Sequence, residues 1–298
     1  MNSRRAFVKN SALATAAIMG VNTFQSFAAF APSVYGGELN DENSFTLLHT
    51  GDIGNQWSRI SNGSAYDGLG GFSSLVDVIN GIRREWKNHI LVDAGGMHPS
   101  LYATAASLGY DAINVYTGTG DLESALADHQ LPAISHHPAA VRSNALSYRI
   151  VSKGQTRIGI ISANLENGST NPMIHALETS RMLKKEKDCH LVICLSSLGD
   201  DKNKKISDHA LASRSTDIDI IIGSGNGLVT RMPFTCFNKE KREVIINYTG
   251  LHGLVLGKID LLFNEKGEKT GVHFRNLVIG TRENRWKDLP SGERMILS

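Results

Sequence analysis

Residues 45–55 read Phe-Thr-Leu-Leu-His-Thr-Gly-Asp-Ile-Gly-Asn and join a short apolar run to a polar turn that contains two glycines. A short apolar run that is bounded by turn residues is typical of a buried β-strand. We therefore predict a strand at 45–48 and a loop at 49–55. The loop carries one carboxylate, Asp52, shortly after the end of the strand.

The same alternation of apolar strand, glycine-containing turn and amphipathic helix continues along the chain. Apolar residues recur at helical spacing over 75–86, and Gly109 follows a second such stretch at 101–108, where a C-cap glycine is expected. Further predicted elements are strands at 89–92, 112–115, 191–195 and 218–222, helices at 122–127 and 173–186, and a hairpin made of 148–151 and 157–161. This alternation is typical of packed α/β layers.

The region from residue 231 onward is different, because it is rich in predicted strands. Apolar runs at 243–247, 254–263 and 271–279 follow one another without an intervening helical pattern. Such a succession favours a second sheet over a simple doubly wound domain. With no long linker and no internal repeat, the sequence predicts one domain over 32–298.

Composition excludes several functional classes. The 298 residues are 41% hydrophobic and 20% charged, with a formal net charge of +2, which gives no strong electrostatic attraction to nucleic acid. The three cysteines are Cys189, Cys194 and Cys236, and their number and spacing argue against a disulfide framework or a zinc knuckle.

The first 31 residues have the features of an export signal. Two arginines, Arg4 and Arg5, precede an uncharged stretch at 11–24, and Ala29-Phe30-Ala31 offers the small residues that a signal peptidase recognises. The paired arginines resemble a twin-arginine signal. The stretch is too short for a good membrane span. We predict a twin-arginine signal peptide at 1–31, location in the periplasm or outside the cell envelope, and no membrane span after its removal.

Ligands of α/β folds bind outside the carboxyl ends of the strands, so the strand-end loops are where a site is expected. They are rich in Gly, Ser, Thr and Asn and poor in His and carboxylates, and they comprise 51–55, 93–96, 116–121, 196–199 and 223–227. Glycine-rich loops can hold phosphate through backbone N–H groups. None of these loops has a Walker sequence, and no serine has the surroundings of a nucleophile elbow.

Taken in order, these loops resemble the sequence blocks of the 5′-nucleotidase branch of the calcineurin-like metallophosphoesterases. The matching blocks are Leu48-His49-Thr50-Gly51-Asp52-Ile53-Gly54, Leu91-Val92-Asp93-Ala94-Gly95-Gly96, the stretch 108–121, Val192-Ile193-Cys194-Leu195-Ser196-Ser197-Leu198-Gly199, and the strand at 218–222. The resemblance covers about residues 44–265. It implies a four-layer α/β/β/α sandwich with two mixed sheets.

The resemblance also implies where the family holds its two divalent metals, and here the sequence departs from the family. Of seven ligand positions only Asp52 keeps its ligating residue. The other six positions carry residues that the family does not use there: Gly54, Gly96, Thr117, Ser197, Gly225 and Gly227. Gly118 stands where the family has the histidine that assists the leaving group, and Asp121 stands where an aspartate orients that histidine. The resemblance therefore implies that the dinuclear centre is lost.

We accordingly predict a non-catalytic binding or partner protein, and expect no cofactor. The cleft residues expected to meet a ligand are Asp52, Asn55, Thr117, Asp121, Ser197, Asn226 and His252, with backbone N–H groups of the cleft glycines beside them. The ligand expected is polar or phosphate-bearing. The protein partners expected are an active nucleotidase homologue or a separately encoded nucleotide-binding domain.

A second hypothesis stays open, in which the chain is a residual or repurposed metal-dependent phosphoesterase that hydrolyses phosphate esters. It requires substitute ligands, and the histidines that lie near strand ends are the ones to consider. A single-metal site would combine Asp52 with His98, His136 or His137. On this hypothesis, the resemblance to the family would extend from the fold to the catalytic activity.

Overall fold

The computed structural model describes residues 44–61, 63–64, 66–85, 88–116, 126, 128–136, 145–165, 171–264 and 269–280. All described residues belong to one compact unit, within 42–298. The predicted signal peptide at 1–31 and the predicted helix at 122–127, apart from Leu126, lie outside the described residues.

In the described part of the chain, twelve strands form two six-stranded sheets. The strands are β1 (Ser44–Thr50), β2 (His89–Asp93), β3 (Ala112–Asn114), β4 (Ala133–Ile134), β5 (Tyr148–Lys153), β6 (Thr156–Ala163), β7 (Leu191–Ser196), β8 (Ile220–Gly223), β9 (Phe234–Phe237), β10 (Glu243–Tyr248), β11 (Val255–Phe263) and β12 (Lys269–Val278). Sheet 1 has the order β12-β11-β1-β2-β3-β4, and sheet 2 has the order β5-β6-β7-β8-β10-β9.

Both sheets are mixed, as predicted. In sheet 1, β1 to β4 run parallel, while β11 pairs antiparallel with β1 and β12 pairs antiparallel with β11. In sheet 2, β6, β7, β8 and β10 run parallel between two antiparallel edge strands. The carboxyl ends of the parallel strands therefore meet at one edge of each sheet.

Within the described ranges, four helices of seven or more residues cover the outer faces of the sheets. They are α1 (Phe72–Glu85), α2 (Tyr102–Leu108), α3 (Pro172–Lys185) and α4 (Asp208–Arg214). Asn171 and Ser207 accept hydrogen bonds from the first turns of α3 and α4, as N-cap residues do. Gly109 closes α2 in the left-handed conformation with φ 68°, which confirms the predicted C-cap.

Alternating side chains on each strand build separate layers of the core. Leu47 of β1 and Ile193 of β7 lie in one buried cluster, which places the two sheets face to face. The neighbouring residue Leu48 packs in another cluster with α1 and α2. Cys194 packs in a third cluster with α3 and α4. A period of two on each strand thus produces helix, sheet, sheet and helix layers, and the predicted four-layer sandwich is confirmed.

Three of the short elements were not predicted from the sequence. Strand β4 has two residues, β9 has four and lies at a sheet edge, and α4 has seven. The cysteines are free, as expected. Among the described residues, no helix is both long and apolar enough to cross a membrane. Export through a twin-arginine signal stays a prediction.

Candidate functional site

The loops that follow β1, β2, β7 and β8 come together where the two sheets meet. The Ala94 N–H donates to the carbonyl of Thr50 at 2.8 Å, which joins the ends of β1 and β2. The Ser224 hydroxyl donates to the carbonyl of Ala94 at 2.8 Å, and this bond crosses from sheet 2 to sheet 1. These strand ends therefore form one continuous polar region, which we call the strand-end cleft.

Asp52 lies in this cleft with its backbone held on both sides. Its N–H donates to the carbonyl of Gly95 at 2.8 Å, and its carbonyl accepts from the N–H of His252 at 2.9 Å. Its φ is 52°, in the left-handed region, which an aspartate adopts more readily than most residues. The backbone bonds thus fix the direction in which the side chain leaves the chain.

The Asp52 carboxylate points at the loop after β8. Both of its oxygens accept from the backbone N–H of Gly225, at 2.7 and 2.8 Å. Burial raises the pKa of Asp52 to about 6, while hydrogen bonds from the backbone of Gly225, Gly227 and Asn226 oppose the shift. The Gly225 N–H that was expected to face a ligand therefore faces Asp52.

Tyr116 occupies the space beside Gly95 and Gly96. A Cβ atom on Gly95 would lie 2.4 Å from Cε1 of Tyr116. A Cβ atom on Gly96 would lie 2.8 Å from Oδ1 of Asp52 and 3.3 Å from the Tyr116 hydroxyl. The phenol hydrogen-bonds to Ser224, and burial raises its pKa well above the usual value. The place that the resemblance gives to a bridging aspartate is thus filled by Tyr116 and Asp52.

Two amides close the base of the cleft between the sheets. Asn114, at the end of β3, and Asn164, after β6, donate to each other's side-chain oxygens at 2.8 and 2.9 Å. The Asn114 amide also donates to the carbonyl of Ala94 at 2.8 Å. The Ser197 hydroxyl accepts from the N–H of Leu165 at 3.1 Å and contacts Asn164 at 3.4 Å. These bonds use donors and acceptors that would otherwise be buried without partners.

Asp93 is a second carboxyl group near the cleft, and it is completely buried at the end of β2. It accepts from the Thr50 hydroxyl at 2.6 Å and from the N–H of Gly95 at 2.9 Å. Burial, with a smaller contribution from the nearby charge of Asp52, raises the pKa of Asp93 to about 7, and the hydrogen bonds from Thr50 and Gly95 oppose the shift. This carboxyl group faces the protein interior and stabilises the turn that carries Gly95.

Three of the expected cleft residues, Asn226, His252 and Asn55, either contact other protein groups or are exposed to solvent. The Asn226 amide donates to Asp200 at 2.9 Å, and its oxygen accepts from the N–H of Leu228 at 3.0 Å. The His252 ring lies beside Gly54, where a Cβ atom would be 3.7 Å from Nδ1, and burial lowers the pKa of His252. Asn55 is exposed.

Asp52, Gly54, Gly96, Ser197, Gly225, Asn226, Gly227 and His252 are thus among the described residues of the cleft loops, whereas Thr117, Gly118 and Asp121 lie outside the described residues. The sequence indicated the loops that hold Tyr116 and Ser224 without singling out either residue, and it did not indicate Asn114 or Asn164 as parts of the site. For both asparagines, a polar residue at the end of an apolar strand was the available signal.

The histidines of the single-metal hypothesis lie in other settings. Nδ1 of His98 accepts from the N–H of Ser100 at 3.2 Å, where it caps the short turn at 99–101. The His136 ring stacks on His175 with 5.3 Å between centroids. His137 lies outside the described residues.

The described cleft residues supply few side-chain ligands for a pair of metal ions. Within the described ranges, no group of three or more His, Cys, Asp or Glu side chains could hold a metal ion. The Asp52 oxygens already accept hydrogen bonds, and the space at Gly96 is filled. Metal ions of the kinds found in hydrolases need several well-placed donors. The described residues therefore do not fit a dinuclear centre.

Comparisons with known proteins identify the fold. No family model matches the chain, and no curated protein matches it. Among solved structures, a 5′-nucleotidase precursor from Thermus thermophilus is similar at 20% identity with a TM-score of 0.65, over 79% of this chain and 54% of that one. The NAD nucleotidase of Haemophilus influenzae matches at 18% identity and a TM-score of 0.62, over 79% and 50%.

A calcineurin-like phosphoesterase from Bacillus subtilis matches at 20% identity and a TM-score of 0.57, over 80% of this chain and 90% of that one. The chain spans about half the length of the two nucleotidases that it matches. At these identities the comparison shows the fold, which is the metallophosphoesterase fold of 5′-nucleotidases and calcineurin-like phosphoesterases.

This comparison corrects the expectation that no cofactor is involved, which is wrong. The chain shares its fold with 5′-nucleotidases and calcineurin-like phosphoesterases, which are metal-dependent enzymes. The prediction had been drawn from ligand positions in the sequence alone. The poor fit of the described residues to a metal pair does not restore it, because the loop at 117–125 lies outside the described residues.

Proposed function

We propose that this chain is a binding protein built on the metallophosphoesterase fold, which holds a polar or phosphate-bearing ligand in the strand-end cleft without hydrolysing it. One observation carries the proposal. The carboxylate that the resemblance assigns to metal binding, Asp52, is bound by the backbone of Gly225. It is therefore turned away from the ligand role that hydrolysis in this family requires.

Chemistry supports the same conclusion. Hydrolysis of a phosphate ester by this fold relies on metal ions that orient the phosphate and activate a water molecule. Gly54, Gly96, Gly225 and Gly227 have no side chain with which to take part. The cleft does retain a backbone donor of the kind that binds oxygen-rich ligands, namely the exposed Gly225 N–H, which now binds the Asp52 carboxylate.

The proposal includes export and a partner. Export rests on the twin-arginine pattern at 1–31. The partner is an active nucleotidase homologue or a separately encoded nucleotide-binding domain, because a chain that binds without hydrolysing would leave turnover to another protein. Co-purification of the full-length protein from its native envelope tests both parts.

A second candidate function is a metal-dependent phosphoesterase. The observation that favours it is the shared fold with structures named as nucleotidases and phosphoesterases. Asp52 keeps the first ligand position, and it would have to leave Gly225 to take part. The two candidates differ in one measurable property, which is turnover that depends on Asp52.

The deciding experiment measures hydrolysis of p-nitrophenyl phosphate and of a nucleoside monophosphate, with added manganese or zinc and with a chelator. Wild type is compared with Asp52→Ala and with Asp77→Ala, a matched control at an exposed position of α1. The proposal expects the three proteins to be equally inactive. Turnover that needs metal and is abolished only by Asp52→Ala would overturn it and establish the second candidate. Elemental analysis of the same samples measures bound metal directly.

A further inference from the structure

We infer that the loop 225–227 is an oxyanion-binding site whose present occupant is the Asp52 carboxylate, and that a phosphate-bearing ligand binds there by displacing this side chain. The inference rests on the proposed function and specifies where and how the ligand binds. It also gives the retained aspartate a role that differs from metal binding.

The loop has the geometry of an anion site. The N–H of Gly225 donates to both oxygens of Asp52, at 2.7 and 2.8 Å, and the neighbouring backbone of Asn226 and Gly227 helps to lower the pKa of this carboxyl group. Both glycines have left-handed φ values, 83° and 64°, which turn the chain so that neighbouring N–H groups face the same side. Concave groups of N–H donors of this kind bind phosphate and carboxylate oxygens. The carboxylate of Asp52 is therefore a resident anion.

The resident anion is tethered. The backbone of Asp52 is fixed by Gly95 and His252, at 2.8 and 2.9 Å, so only rotation of the side chain can remove the carboxylate from the loop. An intramolecular group competes at a high effective concentration with any free ligand. Its negative charge also opposes the approach of another anion. Wild-type protein should therefore bind phosphate more weakly than a variant that lacks the Asp52 carboxylate.

A ligand at this place would lie at the open side of the loop, beside the Tyr116 hydroxyl. Gly225 is exposed, so the loop is open to solvent on one side. The Tyr116 hydroxyl lies near the Asp52 carboxylate and bonds to Ser224, which follows β8 immediately before the loop. A Cβ atom on Gly225 would lie no closer than 3.6 Å to Ser197, so the loop is not crowded. A phosphate group has several oxygen atoms, so one of them could accept from the loop while another contacts the Tyr116 hydroxyl.

The test measures binding of inorganic phosphate and of a nucleoside monophosphate to the full chain by calorimetry. Asp52→Ala is expected to bind phosphate about tenfold to a hundredfold more tightly than wild type, since a hydrogen bond to a charged group has about that weight. Asp52→Asn keeps an acceptor for the Gly225 N–H and removes the charge, so its gain should be smaller. Asp77→Ala is expected to match wild type.

Amide resonances locate the binding and separate this inference from the proposed function. Asp52→Ala should shift the Gly225 amide, and added phosphate should shift the amides of 225–227 again. Binding by Asp52→Ala that is equal to or weaker than that of wild type overturns the inference, as do phosphate-induced shifts confined to other loops. The proposed function fails on a different result, namely turnover that depends on Asp52. Thermal unfolding of each variant verifies that the comparison involves folded proteins.

Discussion

The carboxylate of Asp52, after β1 of sheet 1, accepts hydrogen bonds of 2.7 and 2.8 Å from the backbone N–H of Gly225, after β8 of sheet 2. The contact joins the two sheets at the mouth of the strand-end cleft. In the resemblance both positions are metal ligands, and in this chain they bind each other. The contact therefore links two strand-end loops that lie 173 residues apart in the sequence.

Gly96 provides a test of how tightly the cleft is filled. Gly96→Ala places a Cβ atom 2.8 Å from Asp52 Oδ1 at a position with φ 80°, whereas Gly63→Ala, at φ 70°, meets no atom of the described residues within 4 Å. Both variants lose about 1–2 kcal/mol from left-handed strain, and Gly96→Ala should lose about 1–3 kcal/mol more from overpacking. Chemical denaturation measures both losses. Equal losses would show that the space beside Gly96 is open.

His49 lies against Gly257 in the interior of sheet 1. A Cβ atom on Gly257 would lie 2.0 Å from Nε2 of His49, which also hydrogen-bonds to the Asn247 amide at 2.9 Å. Gly257→Ala should therefore destabilise the protein by roughly 3 kcal/mol, the size of a severe overpacking. Gly81→Ala, in α1 with open space around it, should instead stabilise by about 0.5–1 kcal/mol. Thermal unfolding measures both effects, and midpoints that shift in the same direction for Gly257→Ala and Gly81→Ala would contradict the prediction.

The buried carboxyl group of Asp93 makes stability depend on pH. Its pKa is raised by burial to about 7 from an ordinary value of 3.8, so between those pH values the folded state binds the proton more tightly than the unfolded state. Its contribution to the free energy of unfolding is therefore highest below pH 4 and falls as the pH rises to 7, by up to about 4 kcal/mol.

Asp93→Asn removes this titration and can still accept the hydrogen bond from the N–H of Gly95. The difference in unfolding free energy, wild type minus variant, should decrease from pH 4 to pH 7. Urea denaturation at several pH values, with Asp77→Ala as the control, gives that difference. A difference that is constant across the range would show that Asp93 titrates normally.

The amides of Asn114 and Asn164 should be energetically coupled. They exchange two hydrogen bonds between buried side chains on opposite sheets, so removing one leaves the other without its partner. A double-mutant cycle with alanine at both positions should give a coupling of about 1–2 kcal/mol. The pair Arg242 and Glu240, at 2.8 Å but 56% exposed at each side chain, should give under about 0.5 kcal/mol. Equal couplings would indicate that the amide pair is not formed.

Much of the fold could be predicted because local patterns carry it. The apolar run at 45–48 with its polar turn, the helical spacing at 75–86 and the hairpin around Gly154 all became the expected elements. Strand β9 escaped prediction because an edge strand of four residues has only a weak alternating pattern. The candidate cleft followed from strand ends alone, since parallel strands bring their carboxyl ends to one edge.

The partners within the cleft could not be predicted in that way. Asp52 and Gly225 are 173 residues apart, and Asn114 and Asn164 are 50 apart, so no local pattern connects them. Tyr116 reads in the sequence as one more residue of a loop, and only the absence of side chains at Gly95 and Gly96 lets its ring lie there.

The sequence by itself determined the succession of strands and helices, the place of the cleft and the residues that line its loops, because short-range periodicity and turn chemistry specify those features. The tertiary structure decided what each group does in that cleft. Packing two sheets face to face brings a carboxylate from one within hydrogen-bond distance of a backbone N–H from the other. Such a contact exists only once both layers are assembled.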